Sequence, residues 1–130
     1  MKRLIPLFMA LLLLAGCAAP DVAGENSYRQ IGMQEAVEMM DSERDYIILD
    51  VRTDVEFNER HIPGALNIPN EEIGTDEIPQ LPDKDQLILV YCRSGNRSKQ
   101  ASEKLVKLGY TNIVEFGGIN DWPGETVSGS

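Results

Sequence analysis

Residues 87–98 read Leu87-Ile88-Leu89-Val90-Tyr91-Cys92-Arg93-Ser94-Gly95-Asn96-Arg97-Ser98. An apolar run typical of a buried strand ends at a cysteine, and a short polar loop with two arginines then leads into a helical pattern. This order predicts a thiol that faces the amino end of a helix, where backbone N–H groups lack intrahelical partners and the helix dipole is positive. Such surroundings stabilise a thiolate, the nucleophilic form of cysteine. We therefore expect Cys92 to be reactive, and its place next to a polar loop predicts that it is exposed.

The chain on both sides of this stretch alternates between strand and helix patterns. Strands are predicted at 46–49, 65–68, 87–91 and 113–116, and helices at 33–40, 54–60 and 98–108. The acidic segment 70–84 is predicted to be a loop with one helical turn, and 117–123 a turn with a short helix. This alternation predicts an α/β fold with a mainly parallel sheet. Ligands of such sheets bind beyond the carboxyl ends of the strands, where Cys92 lies.

The amino-terminal segment predicts export. Lys2 and Arg3 precede an apolar run that is shorter than the roughly 20 residues of a membrane-spanning helix, which is typical of a secretory signal. The ending Leu14-Ala15-Gly16-Cys17 resembles the lipobox of bacterial lipoproteins, in which the cysteine is lipidated. We therefore predict a lipoprotein signal peptide at 1–16 and a flexible tether at 17–27. The alternative is an ordinary signal peptide in which Cys17 has no role.

A lipidated Cys17 would anchor the protein to the bacterial cell envelope, on the periplasmic side. Ala18 stands where an aspartate would resemble an inner-membrane retention signal, so the outer membrane is favoured in a Gram-negative cell. Lipidation would also leave Cys92 without a cysteine partner for a disulfide, and a lone thiol in an exported protein is typically reactive. The alternative is an inert, buried cysteine.

The charge of the chain restricts its partners. Residues 17–130 contain 10 basic and 21 acidic side chains, a net charge of −11. This excludes nucleic acid as a partner, because nucleic-acid contacts depend on clusters of Lys and Arg. Anionic lipid would repel the domain, so membrane attachment is expected through the lipid anchor only. Anionic small molecules would need a local positive site, and Arg93 and Arg97 supply one.

Several segments resemble single-domain rhodaneses, a family of sulfurtransferases. They are Leu49-Asp50-Val51-Arg52 with Glu56-Phe57, then His61-Ile62-Pro63-Gly64-Ala65-Leu66-Asn67-Ile68-Pro69, then Tyr91 to Ser98, and finally Gly117-Gly118-Ile119-Asn120-Asp121-Trp122. The resemblance covers residues 28–125 and leaves 126–130 as a tail. It implies a rhodanese-like α/β domain with a mainly parallel, five-stranded sheet and helices on both faces.

The resemblance implies that Cys92 is the catalytic nucleophile. It would take a sulfane sulfur from a small anionic donor such as thiosulfate, form a persulfide and pass the outer sulfur to a thiol, a cyanide-like acceptor or a partner protein. Neither a cofactor nor a metal is expected. The substrate-binding loop implied by the resemblance surrounds the sulfur and consists of Arg93, Ser94, Gly95, Asn96, Arg97 and Ser98. Within it, either arginine could hold substrate oxygens, Gly95 supplies a permissive backbone, and Ser98 is expected to cap the helix and donate toward Cys92.

Four further residues are expected to support the site. Asp50 and Arg52 are predicted to form an ion pair near the loop, with Glu56 as another partner. His61 is predicted to make a hydrogen bond in a turn in preference to acting as a general base.

Three alternative functions remain open at this point. The first is a phosphatase or arsenate reductase. Dual-specificity cell-cycle phosphatases resemble this fold but use a Cys-x5-Arg loop, whereas this chain has Cys-x4-Arg, a ring that is small for phosphate. A persulfide carrier would use the same Cys92 with little turnover. An inactive scaffold is disfavoured because Cys92 is present.

Overall fold

The computed structural model describes residues 27–129. The predicted signal peptide, Cys17 and nearly all of the predicted tether lie outside this range. None of the helices between residues 27 and 129 combines the length and the apolar character needed to cross a membrane.

The centre of the domain is a sheet of five parallel strands in the order β1-β5-β4-β2-β3. The strands are β1 (Arg29–Gln30), β2 (Tyr46–Asp50), β3 (Leu66–Asn67), β4 (Leu87–Cys92) and β5 (Ile113–Gly118). The predicted five-stranded parallel sheet is thus confirmed. The pattern analysis found four of these strands and missed β1, because β1 has two exposed residues and is defined only by its pairing with β5.

Helices cover both faces of the sheet, as predicted. They are α1 (Met33–Ser42), α2 (Asp54–Glu59) and α3 (Asn96–Lys107), and single 3₁₀ turns form at Asn70–Glu72 and Ile119–Asp121. Ala101 and Leu105 of α3 pack on one face of the sheet and Ala36 of α1 on the other. The central strand β4 is buried between these two layers, so its apolar run ends, at Cys92, in the interior of the domain.

The predicted tail packs on the domain. Val127 and His61 exchange backbone hydrogen bonds of 2.8 and 2.9 Å, and the Gly129 N–H donates to Asn58 O at 2.8 Å. These contacts fasten the end of the described chain beside α2.

Candidate active site

Cys92 is the last residue of β4, and its side chain is buried. The residue is 1% exposed, so the predicted exposure is wrong. The reason is that the strand continues through Cys92 and the following loop folds over its end. The thiol nevertheless points toward this loop, because the Gly95 N–H donates to Sγ at 3.0 Å and Ser98 Oγ lies 3.4 Å from Sγ.

Hydrogen-bond donors around Sγ favour the thiolate. Burial raises the pKa of the Cys92 thiol, but the Ser98 hydroxyl and the backbone N–H groups of Ser98, Gly95 and Ser94 outweigh it and hold the pKa below its ordinary value. The shell of donors around this sulfur therefore stabilises negative charge.

The backbone turn at Gly95 creates this shell. Gly95 has φ of +116° and is the residue from which α3 begins, at Asn96. The expectation that Ser98 caps the helix is therefore wrong, since the left-handed conformation of Gly95 starts the helix two residues earlier. Ser98 instead lies in the first turn of α3, fully buried, with its hydroxyl directed between Cys92 and β5.

Gly118 holds the loop from the opposite side. A Cβ at this position would lie 2.0 Å from Arg93 O, and the neighbouring Asn120 N–H donates to the same oxygen at 3.2 Å. The loop and the end of β5 therefore approach so closely that only glycine fits.

We expect Gly118→Ala to displace the loop from Cys92. The methyl group cannot be accommodated without backbone movement, which should cost about 1–3 kcal/mol of stability. It should also slow alkylation of Cys92 by about tenfold or more, because one lost charged hydrogen bond weakens thiolate stabilisation by that factor. Gly74→Ala is the matched control, since a Cβ there meets open space. Equal alkylation rates in the two variants would contradict the claim that the close approach of Gly118 to Arg93 holds the loop against Cys92.

Arg97 is held by Glu56. Its Nη1 and Nη2 donate to the two carboxylate oxygens at 2.7 and 3.0 Å. Glu56 also forms a capping box with Thr53 at the start of α2. The expected pairing of Glu56 with Arg52 is wrong, because Arg52 is occupied by Asp50 and by Arg60 O. Arg97 thus joins α3 to α2, and the exposed Arg93 is the arginine of the loop without an ion pair in the described part of the chain.

The Glu56–Arg97 pair should make stability depend on pH in the acid range. The hydrogen bond from Arg97 is the largest cause that lowers the pKa of Glu56, from 4.5 to about 2. Because the folded-state pKa is the lower one, the stabilisation is complete above about pH 4.5 and is lost as the pH falls toward 2. Urea unfolding at several pH values should show a smaller acid-side loss in Glu56→Gln than in the parent chain. Glu38→Gln, an exposed change in α1, should keep the parent slope, and equal slopes in all three would contradict the assignment.

Asp50 and Arg52 form the predicted ion pair, and it is almost fully buried. Arg52 Nη2 is 2.7 Å from Asp50 Oδ2, and the Tyr91 hydroxyl donates to the same oxygen at 2.6 Å. The Ile62 N–H in turn donates to the Tyr91 oxygen at 3.1 Å. Burial and the neighbouring Asp50 charge raise the pKa of Tyr91, so its hydroxyl remains a donor. This network holds Tyr91, the residue of β4 that directly precedes Cys92.

His61 is placed in a turn and is buried. Its Nδ1 lies 2.8 Å from Phe57 O, and its ring stacks on the Phe57 ring with 3.7 Å between centroids. Through these contacts, the imidazole of His61 connects α2 with the following turn.

Glu115 was missed by the sequence analysis. It lies in β5, is 2% exposed and has its Oε2 2.5 Å from Ser98 Oγ. The feature of the sequence that could have revealed it is a single acidic residue within the otherwise apolar run Ile113–Phe116. Only the pairing of β5 with β4 shows that this acid faces the loop that follows Cys92.

A cleft of about 190 Å³ opens beside the loop. Its lining is strongly charged and combines side chains from the β2–α2 region, the loop and the 3₁₀ turn after β5: Arg52, Glu56, Glu59, Arg60, Arg93, Ile119 and Asn120. Three arginines and two glutamates therefore line the cleft, and Arg52 is already paired with Asp50.

Comparisons with known proteins place this architecture in one family. Residues 33–125 match the model of the rhodanese-like domain. The chain is 38% identical to the thiosulfate sulfurtransferase PspE of Escherichia coli over 73 residues, 56% of this chain and 70% of that protein. It is 33% identical to the thiosulfate sulfurtransferase GlpE of Coxiella burnetii over 96 residues, 73% of this chain and 87% of that protein.

Further relatives extend the comparison. The "Putative sulfur carrier protein YrkF" of Bacillus subtilis is 31% identical over 102 residues, 78% of this chain and 54% of that protein. A solved structure of a rhodanese with anions from E. coli is similar with a TM-score of 0.59 and 36% identity, and the match covers 65% of this chain and 99% of that one. A rhodanese-like domain from Anabaena gives a TM-score of 0.69 and 28% identity, with 76% and 78% covered. The chain therefore belongs to the rhodanese-like domain family.

Proposed function

We propose that this protein is a sulfurtransferase that carries a sulfane sulfur on Cys92. The observation that carries this proposal is the shell of backbone and hydroxyl donors within hydrogen-bond distance of Sγ, with the Gly95 N–H at 3.0 Å. The relatives PspE and GlpE, both named thiosulfate sulfurtransferases, support the same activity.

The chemistry needs a thiolate and a site for negative charge. The Cys92 thiolate attacks the outer sulfur of thiosulfate, an S–S bond forms to Sγ, and the bond to the sulfonate breaks with its electron pair leaving on sulfite. The resulting Cys92 persulfide then gives its outer sulfur to cyanide or a thiol and returns to the thiolate. Inward-facing N–H groups of this kind stabilise an anion held in the ring of the loop. Exposed Arg93 beside the cleft draws an anionic donor against the negative net charge.

Intact-mass measurement tests the first half of the reaction. The reduced protein is incubated with thiosulfate, and we expect a gain of one sulfur atom that disappears when cyanide is added, with release of one thiocyanate. Absence of any sulfur adduct with thiosulfate, an inorganic polysulfide and a low-molecular-weight persulfide would refute the proposal.

A persulfide carrier is the second candidate, and the similarity to YrkF favours it. A carrier would retain the persulfide and release thiocyanate slowly, whereas an enzyme would turn over many times. The same protein preparation therefore distinguishes the two functions by comparing adduct formation with steady-state thiocyanate production.

We do not propose a phosphatase or arsenate reductase activity. Arg97 donates from both terminal nitrogens to Glu56, so its positive charge is already paired with a carboxylate inside the domain. The small Cys-x4-Arg ring argues in the same direction.

We also propose that the chain is exported and anchored in the cell envelope through Cys17. The support is the lipobox-like Leu14-Ala15-Gly16-Cys17 after a basic and apolar start. Labelled palmitate should be incorporated by the full chain in bacterial cells and lost in Cys17→Ser. Release of the unlabelled parent protein into the soluble periplasmic fraction would count against the anchor.

A further inference from the structure

Glu115 is a buried carboxyl group that the sulfur-transfer reaction described above does not use. None of the ion pairs formed between residues 27 and 129 includes it. Its Oε2 accepts from the Gly117 N–H at 2.9 Å, and its Oε1 accepts from the Gln30 side-chain amide at 3.4 Å. The remaining contact, 2.5 Å from Oε2 to Ser98 Oγ, connects Glu115 to the reactive cysteine.

The Ser98 hydroxyl lies between two ionisable groups, at 2.5 Å from Glu115 Oε2 and 3.4 Å from Cys92 Sγ. A hydroxyl donates one hydrogen and can accept another at the same time. When Cys92 is a thiol and Glu115 a carboxylate, the thiol donates to Ser98 and Ser98 donates to Glu115. When Cys92 is a thiolate, the Ser98 hydroxyl donates its hydrogen to Sγ. The Ser98–Glu115 contact is then a hydrogen bond only if Glu115 carries a proton and donates it to Ser98.

We propose that Cys92 and Glu115 share one proton through the Ser98 hydroxyl, so that Glu115 is a positioning residue that stores the thiol proton. In the exchange the S–H bond breaks, Ser98 passes on its own hydrogen as it receives one, and an O–H bond forms on Glu115. No electrons are transferred, and the net charge of the site stays the same. The inference rests on the proposed function only in that the thiolate is the form that accepts sulfur.

The other polar and charged groups near this pathway do not bridge its two ends. Gly95 O at 3.0 Å and Gly117 O at 3.4 Å also lie within hydrogen-bond distance of Ser98 Oγ, but a backbone carbonyl accepts a hydrogen bond without taking up the proton. Tyr28 lies on the Glu115 side, where burial and then the charges of Glu103 and Glu115 raise the pKa of its hydroxyl. The Gln30 amide is uncharged. Arg97 interacts electrostatically with Cys92, but its guanidinium is bound to Glu56. Ser98 is therefore the connection through which a proton can pass.

The pH dependence of alkylation by iodoacetamide tests this proposal. The protein is the full chain with Cys17→Ser, so that Cys92 is the remaining thiol. Two groups that share a proton titrate in two macroscopic steps. We therefore expect the logarithm of the alkylation rate to rise twice with pH, with a plateau between the rises. Glu115→Gln should leave a single rise, because the amide cannot take the proton.

Two further variants complete the experiment. Glu103→Gln, which removes an exposed carboxylate of α3, should keep both rises. Ser98→Ala removes the hydroxyl that connects Cys92 with Glu115 and should leave a single rise, displaced to higher pH because the thiolate also loses a charged hydrogen bond. A single rise in the parent protein, or two rises in Glu115→Gln, would overturn the proposal. If Glu115→Gln does not fold, the parent curve and Ser98→Ala decide the question. Alkylation requires no sulfur donor, so the result remains interpretable even if Cys92 forms no persulfide.

Discussion

Cys92→Ser is expected to abolish sulfur transfer, with thiocyanate production falling by at least about 10³-fold to the background rate. The physical reason is that a serine hydroxyl stays protonated near neutral pH and is a much weaker nucleophile than a thiolate, so the covalent intermediate cannot form. The measurement is steady-state turnover with thiosulfate and cyanide, together with the intact mass after thiosulfate alone.

Cys17→Ser provides the matched control, because each of the two variants retains one of the two cysteines of the chain. We expect Cys17→Ser to gain a sulfur atom and to turn over like the parent protein, and Cys92→Ser to do neither. Unfolding curves check that Cys92→Ser is folded. Sulfur bound by Cys92→Ser and not by Cys17→Ser would refute the assignment of the nucleophile.

Asp50→Ala is expected to have the largest effect on stability. The change leaves Arg52, a residue that is 4% exposed, without its carboxylate partner and removes the acceptor of the Tyr91 hydroxyl. Breaking a buried pair by removing one partner typically costs about 3–5 kcal/mol. For a domain of this size the melting temperature should fall by about 12 °C or more.

The control for this prediction is Asp41→Ala, which removes an exposed aspartate at the end of α1. We expect its melting temperature to stay within a few degrees of the parent value, because exposed substitutions usually change stability by less than about 0.5 kcal/mol. A similar small shift in Asp50→Ala would show that the buried network contributes little to the fold.

The order of apolar and polar segments was enough to predict the main architecture. Each long strand is an apolar run, and α1 and α3 show the 3.6-residue period, so local pattern and burial agree for these elements. The two-residue strand β1 could not be found in this way, because its place in the sheet comes from backbone pairing with β5 and not from side-chain burial.

The composition of the loop that follows Cys92 was predicted from the sequence, but its geometry was not. A cysteine after an apolar run, followed by a glycine and two arginines, indicated an anion-binding loop. The sequence did not reveal that α3 begins at Asn96, that the thiol is buried, or that Arg97 binds Glu56. These features depend on how the loop, α2 and the end of β5 meet in space, and Gly118 controls that approach by lacking a Cβ.

By itself, the sequence predicted the fold class, which the structure confirms, and pointed to Cys92 as the candidate nucleophile, because both inferences depend on segments that are local along the chain. The tertiary structure decided which charges face that residue. Glu115 is 23 positions from Cys92 in the sequence, yet it reaches the thiol through one hydroxyl because β4 and β5 are adjacent and parallel. Contacts between distant segments arise from strand pairing and helix packing, and no local pattern encodes them.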